Sequence, residues 1–191
     1  ACGAAAPCPL DGRAVGPTCV VPREGRAAAT TPSMAAPRLV DPWPFLRRAL
    51  DEVDDIDAAT TVSGSAKHGV PVDPEAMPHI DLIVAGSVAV DTAGNRVGKG
   101  EGFSDLEFAV LRGFDRVDAD TTVATTVHDS QIVNDGDIKP DRHDVPLDLV
   151  VTPTRTISTK AAAERPAGLY WDDLATEKIE AIPVLQRLQP D

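Results

Sequence analysis

The stretch that most restricts the fold is Ile80-Asp81-Leu82-Ile83-Val84-Ala85-Gly86, continuing through Ser87-Val88-Ala89-Val90. It is almost unbroken in apolar residues. A strand of this kind is buried on both faces, as in a parallel sheet. The next residues determine how the chain returns. Asp91-Thr92-Ala93-Gly94-Asn95 has the chemistry of a turn. Gly98-Lys99-Gly100-Glu101-Gly102 is a glycine loop. From Phe103 to Phe114, Leu106, Val110 and Phe114 keep helical spacing with Ala109 and Leu111 beside them, and Ser104 is placed to cap. Strand, turn, glycine loop and helix in this order predict an α/β unit.

The rest of the chain extends that pattern. Residues 121–127 are rich in Thr and Val and read as a second strand. Residues 131–133 read as a short further strand, 134–143 as a polar loop, and 147–152 as a buried strand stopped by Pro153. Residues 171–188 read as one or two helices around Pro183. Upstream, 42–50 is expected to form a short helix begun near a proline, and 58–63 a strand. Asp73 followed by Pro74 predicts a single helical turn with Asp73 as its cap. The expected fold class is α/β, a layered domain over residues 34–191.

Residues 1–33 differ. Ala, Pro, Gly and Arg dominate, no helical or strand period is present, and five prolines interrupt any element. All three cysteines, Cys2, Cys8 and Cys19, lie here, without a zinc-site spacing or a nearby histidine. The stretch has no basic start and apolar core of a secretory signal, and no initiator Met. The segment is expected to be mostly irregular. Two origins stay open, a genuine flexible tail or a misread frame of GC-rich DNA. The remainder needs no disulfide, which fits a reducing cytoplasm.

Charge is also unevenly spread along the chain. The chain carries 30 acids against 18 bases, a net charge of −12. Residues 1–48 hold six arginines against Asp11, Glu24 and Asp41, so the negative excess lies wholly beyond them. Aspartate accounts for 22 of the acids, and only five bases are lysine. That balance resembles a salt-in halophile and points to a haloarchaeal origin; an ordinary acidic protein of a GC-rich genome is the alternative. A chain this negative repels phosphate backbones, which argues against nonspecific nucleic-acid binding. No apolar run reaches the ~20 residues that span a bilayer as a helix. The expected partner is a small-molecule substrate, with neither nucleic acid nor membrane, on a monomer or weak homo-oligomer.

Alternate glycines uncover backbone N–H groups and permit positive φ. A loop of this kind can wrap a phosphate chain, helped by the positive end of the following helix. Lys99 is a point charge for phosphate oxygens, and Asp105 at the helix start suits a divalent cation bridging them. A flexible turn with Asp105 as a plain cap is the competing reading. The glycine spacing is neither that of a Walker loop nor that of a dinucleotide fold.

The run GSVAVDTAGNRVGKGEGFSDLEFAVL (86–111) resembles the 5-formyltetrahydrofolate cyclo-ligase (methenyltetrahydrofolate synthetase) family. HDVPLDLVVTPTRTI (143–157) resembles its second signature. WDDLATEKIEAIPVLQRL (171–188) and SMAAPRL (33–39) resemble the 5-FCL-like paralogous branch. The resemblance implies a three-layer α/β/α, NagB/RpiA/CoA-transferase-like sheet, here N-terminally incomplete because the family's basic first helix is missing. It implies an ATP- and Mg²⁺-dependent ligase that closes 5-formyltetrahydrofolate to 5,10-methenyltetrahydrofolate. By position it implies that Arg96, Gly98, Lys99, Gly100, Gly102, Phe103 and Ser104 line the ATP loop. It implies Asp105 and Asp144 as magnesium carboxylates, with Lys99 and Asp105 the catalytic pair. Glu101, an acid in a triphosphate loop, is expected to turn to solvent. Phe103-Ser104 and Leu106 depart from the family's two aromatics and basic residue around the loop aspartate. The alternative is a catalytically diverged paralogue, binding a nucleotide or a metabolite such as a thiamine-related one, or acting as a noncatalytic partner-binding domain.

Four histidines complete the candidates. His128 and His143 stand at strand ends beside acids, where loop polarity competes with catalysis. His68 and His79 read as ordinary loop residues. Tyr170 and Trp171 could stack a pterin-like ring or simply pack.

Overall fold

The computed structural model describes residues 19–22, 33–47, 67, 69–159 and 164–190. Strand β5 (Ile80–Val84) covers only the first part of the apolar run expected to continue to Val90. Ile80 and Ile83 are buried while Asp81, Leu82 and Val84 are partly exposed, so the run is neither as long nor as fully buried as its composition suggests. It pairs in parallel with β8 (Thr122–Thr126), and β8 pairs in parallel with β9 (Leu149–Val151). These three strands are the expected ones, and β5 is joined to β8 through helix α1 (Phe103–Gly113). A parallel pair needs such a crossover, because a tight turn cannot return the chain in the same direction. The fold is α/β.

Other strands make the sheet mixed. β1 (Cys19–Pro22) lies antiparallel to β5, and β2 (Ser33–Ala35) antiparallel to β1. β3 (Phe45–Arg47), β4 (Val70–Val72) and, at the far end, β10 (Thr156–Ser158) complete it. The order is β10-β9-β8-β5-β1-β2-β3-β4. β1 falls inside the stretch that has no strand period.

Three local expectations are corrected. Residues 42–50 do not open a helix: Phe45–Arg47 is a strand between β2 and β4, with Phe45 fully buried opposite Ala35 and Val72. Pairing on both sides outweighs the weak helical pattern of so short a run. Residues 131–133 are not a strand. A 3₁₀ turn occupies Asp129–Gln131, and only the single bridge Val90 to Ile132 follows. Helix α1 is not capped by Ser104. Its N-cap is Gly102, at φ 67°, with no side-chain cap. The Asp73 cap is present, its carboxylate accepting from the Glu75 N–H at 3.0 Å. The strand expected over 58–63 lies outside the described residues.

Between β5 and α1 the chain makes a two-stranded ribbon, β6 (Ala89–Val90) and β7 (Arg96–Val97). Its turn is held by buried Asp91, which accepts from the Asn95 backbone and side-chain amides, both at 2.8 Å. Gly94 sits at φ 95°, and a Cβ there would stand 2.7 Å from the Leu147 carbonyl oxygen. The close approach locks the ribbon onto the segment entering β9, through the Leu147 N–H bond to the Gly94 carbonyl.

The chain closes with helices α2 (Thr176–Ala181) and α3 (Pro183–Leu188). They turn at Ile182 and Pro183, as the sequence indicates. Ile182, Val184 and Leu185 enter the same core as Leu106, Val110 and Leu111 of α1. No helix among the described residues is long and apolar enough to cross a membrane.

Candidate functional site

The carboxyl ends of parallel strands, where the chain leaves the sheet, are the usual place for ligands in open α/β folds. Here β5 ends at Val84, and the chain runs on past Gly86 into β6, β7 and the glycine loop. The ends of β5 and β8 are fastened together by hydroxyls. Thr125 donates to the Ala85 carbonyl at 2.7 Å, and its oxygen lies 2.8 Å from Ser87 Oγ. Both residues are buried.

Arg96 is built into the floor of the loop. Its side chain is 4% exposed and donates to Asp105 Oδ1 at 2.5 Å and weakly to the Gly86 carbonyl at 3.4 Å. Asp105 is 13% exposed and also accepts from the Val145 N–H at 3.0 Å. The pair thus ties β7, the first turn of α1 and the 143–157 signature to one point. A buried ion pair of this kind is costly to form but more costly to break. Gly98 lies against the same guanidinium, its would-be Cβ 3.5 Å from the arginine nitrogen. Arg96 Nε is buried with no hydrogen-bond partner. A buried orphan donor is unusual and calls for an acceptor that a ligand or water supplies.

Above this floor the loop is open. Lys99 and Gly100 are exposed; Gly100 sits at φ 89° with nothing within 4 Å of its would-be Cβ. Gly102 turns into α1 without a side-chain cap, and Phe103 and Ser104 are half-buried in its first turn. An α-helix leaves its first N–H groups without intrahelical partners and carries a partial positive charge there. The ATP-loop residues named from the resemblance therefore divide. Lys99, Gly100 and Gly102 face outward, and Arg96 supports from beneath.

Asp144 immediately precedes Val145, whose N–H Asp105 accepts. Asp144 Oδ2 accepts from the Asp141 N–H at 2.8 Å, and His143 Nε2 stands 3.8 Å from its Oδ1. Among the described residues no group of three or more His, Cys, Asp or Glu is placed to hold a metal ion.

Two residues of the loop's surroundings have no signal in the sequence. Arg38 reaches across 63 residues to bind the Glu101 carboxylate at 3.1 Å, so Glu101 is paired rather than simply solvated. Lys178 of α2 donates to the Glu101 carbonyl at 3.0 Å and stands 5.0 Å from the Phe103 ring centroid. Sequence spacing cannot find such partners, because only the packing of distant segments brings them together.

The other candidates have structural roles. His128 caps the 3₁₀ turn, its Nδ1 accepting from the Ser130 N–H at 3.2 Å. Asp129 accepts from Thr154 at 2.7 Å and Thr152 at 3.0 Å. The Thr154 hydrogen bond leads in holding its carboxyl below the ordinary aspartate value. His79 pairs with Asp118 at 3.0 Å. Tyr170 lies under the Arg142 guanidinium at 4.6 Å. Arg142 grips Asp173 through two bonds of 2.7 and 2.8 Å, which lower the Asp173 carboxyl as well. Trp171 packs against the core. His68 lies outside the described residues.

The sequence model of the 5-formyltetrahydrofolate cyclo-ligase family matches residues 49–153. Over 136 residues, 71% of the chain, it is 38% identical to a methenyltetrahydrofolate synthase domain-containing protein of Homo sapiens. Identity to the protein of the same name from Mus musculus is 39%, and to that from Danio rerio 37%, over the same length. The match covers 36% of the human protein and 37% of the mouse protein, so the chain spans about a third of these relatives.

Proposed function

The chain belongs to the 5-formyltetrahydrofolate cyclo-ligase family, and on that premise we propose that it converts 5-formyltetrahydrofolate to 5,10-methenyltetrahydrofolate with consumption of ATP. The observation that carries this reading is the glycine loop itself. It opens outward over a buried Arg96–Asp105 pair and leads into a helix N-terminus with no side-chain cap.

The chemistry required is carbonyl activation. The formyl oxygen takes the γ-phosphoryl group, N10 attacks the activated carbon, and phosphate departs with that oxygen. ADP, phosphate and the methenyl product result. The protein's task is to position a triphosphate and to offset charge as it moves. In this reading Gly98, Gly100 and Gly102 give backbone room, and Lys99 and the first turn of α1, with Phe103 and Ser104, receive phosphate oxygens. Arg96 fixes the loop from below, and its orphan Nε is a buried donor for an anionic oxygen or a bridging water. This donor set fits a triphosphate.

Mg²⁺ would neutralise phosphate charge. It is usually held by one or two carboxylates together with phosphates. Asp144 and the second oxygen of Asp105 are the carboxylates we assign. Lys99 and Asp105 are the residues we assign to catalysis. We place the protein in the cytoplasm, acting on a folate-like small molecule.

Turnover is measured as rising near-ultraviolet absorbance from 5-formyltetrahydrofolate, ATP and Mg²⁺. Asp105→Ala is expected to abolish it. A second reading, a diverged paralogue that binds nucleotide without turnover, is favoured by one observation. Asp105 Oδ1 already carries two donors. ATP binding without product from the unmodified chain would select it.

A further inference from the structure

Two lysines, Lys99 and Lys178, stand at the glycine loop beside the Arg38–Glu101 and Arg96–Asp105 pairs. Lys178 donates to the Glu101 carbonyl at 3.0 Å, and its Nζ lies 5.0 Å from the Phe103 ring centroid. A Cβ on Gly102 would stand 3.9 Å from it. Lys178 is therefore at the N-terminal end of α1. A cation there opposes the helix dipole, which favours anions at that end. The nearby carboxylates are engaged elsewhere. Glu101 binds Arg38 at 3.1 Å, and Asp105 binds Arg96 at 2.5 Å. A lysine and a helix end, both positive, are thus directed to one place, with the exposed Lys99 in the same loop.

The C-terminal helices bring Lys178 there. Ile179 packs against the core, and Ile182, Val184 and Leu185 are buried in it, so α2 is anchored beside α1. The ammonium sits 5.0 Å from the Phe103 ring centroid, and this contact together with the Glu101 carbonyl limits its freedom and lowers the entropy lost when it binds a ligand.

We propose that Lys178 is a phosphate-binding residue of the ATP site. It shapes the glycine loop through the Glu101 carbonyl and adds a second lysine charge to that of Lys99 for the triphosphate. The inference rests on reading the loop as an ATP site.

The test is calorimetric titration of the full chain with Mg·ATP and, separately, with inorganic tripolyphosphate, at several salt concentrations. Lys178→Met keeps an unbranched side chain of similar length and removes the charge. It is expected to weaken both ligands by about tenfold or more and to flatten the salt dependence. Lys178→Arg is expected to restore most of the affinity. Without ligand, the Met variant should unfold within about 2 °C of the unmodified chain. Should Lys178→Met fail to fold, Lys178→Gln makes the same comparison. It can still donate to the Glu101 carbonyl but carries no charge. Equal binding by the unmodified and uncharged chains would overturn the inference and leave the ATP reading intact. An unmodified chain that binds neither ligand would overturn the ATP reading and this inference with it.

Discussion

At the scale of single residues, Arg96 bears most on the site. The family resemblance implies that it is among the phosphate-binding residues of the loop. The structure shows it 4% exposed and bound to Asp105, so its first task is to hold the loop to α1. Its position in the motif was legible, but its direction was not, because burial is a property of the packed molecule. Removing one member of a buried pair strands the other charge. Arg96→Met is therefore expected to cost about 3 kcal/mol in urea unfolding. A cost under about 1 kcal/mol would mean that the pair is well solvated. The contrast with Arg142 and Asp173 is useful. Those side chains are 55% and 37% exposed, so their bidentate geometry carries little stability despite the lowered Asp173 carboxyl.

At the scale of elements, local patterns were read correctly where the chain's own period determined the outcome. Leu106, Val110 and Leu111 lie on the buried side of α1, and β5, β8 and β9 are the apolar runs. Elements that depend on distant partners were not legible. β3 has an apolar run too short to show its period, and its identity comes from β2 and β4 on either side. β1 is paired with β5, some sixty residues away, and nothing in its Pro- and Gly-rich surroundings announces that. β10 is three residues long and follows a proline-bearing turn. The loop's extra cations were missed for the same reason: Arg38 and Lys178 come from opposite ends of the chain. The helix pair α2–α3 was legible from Pro183, and its anchoring is testable. Leu185 is fully buried. Leu185→Ala is expected to destabilise the chain by about 3 kcal/mol, seen as a lower urea midpoint with an unchanged slope. A loss under about 1 kcal/mol would show that the C-terminal helices are peripheral to the core.

At the scale of the whole molecule, net charge and site charge are opposite in sign. The chain carries −12, yet lysine and arginine gather around residues 96–102. A field that repels anions overall makes this local cluster the place where a triphosphate can be received. Screening in molar salt shortens the Debye length to about 3 Å, which weakens the overall repulsion while leaving close contacts at the loop. In the function proposed, this cluster serves ATP-driven closure of a formylated folate. The most direct measurement is the stoichiometry of turnover by the full chain, in dilute buffer and in molar KCl, with Mg²⁺, ATP and 5-formyltetrahydrofolate. One ADP and one phosphate are expected for each methenyltetrahydrofolate formed, with no ADP when the folate is left out. ADP release that does not depend on the folate, or no methenyl product at either salt, would contradict that function.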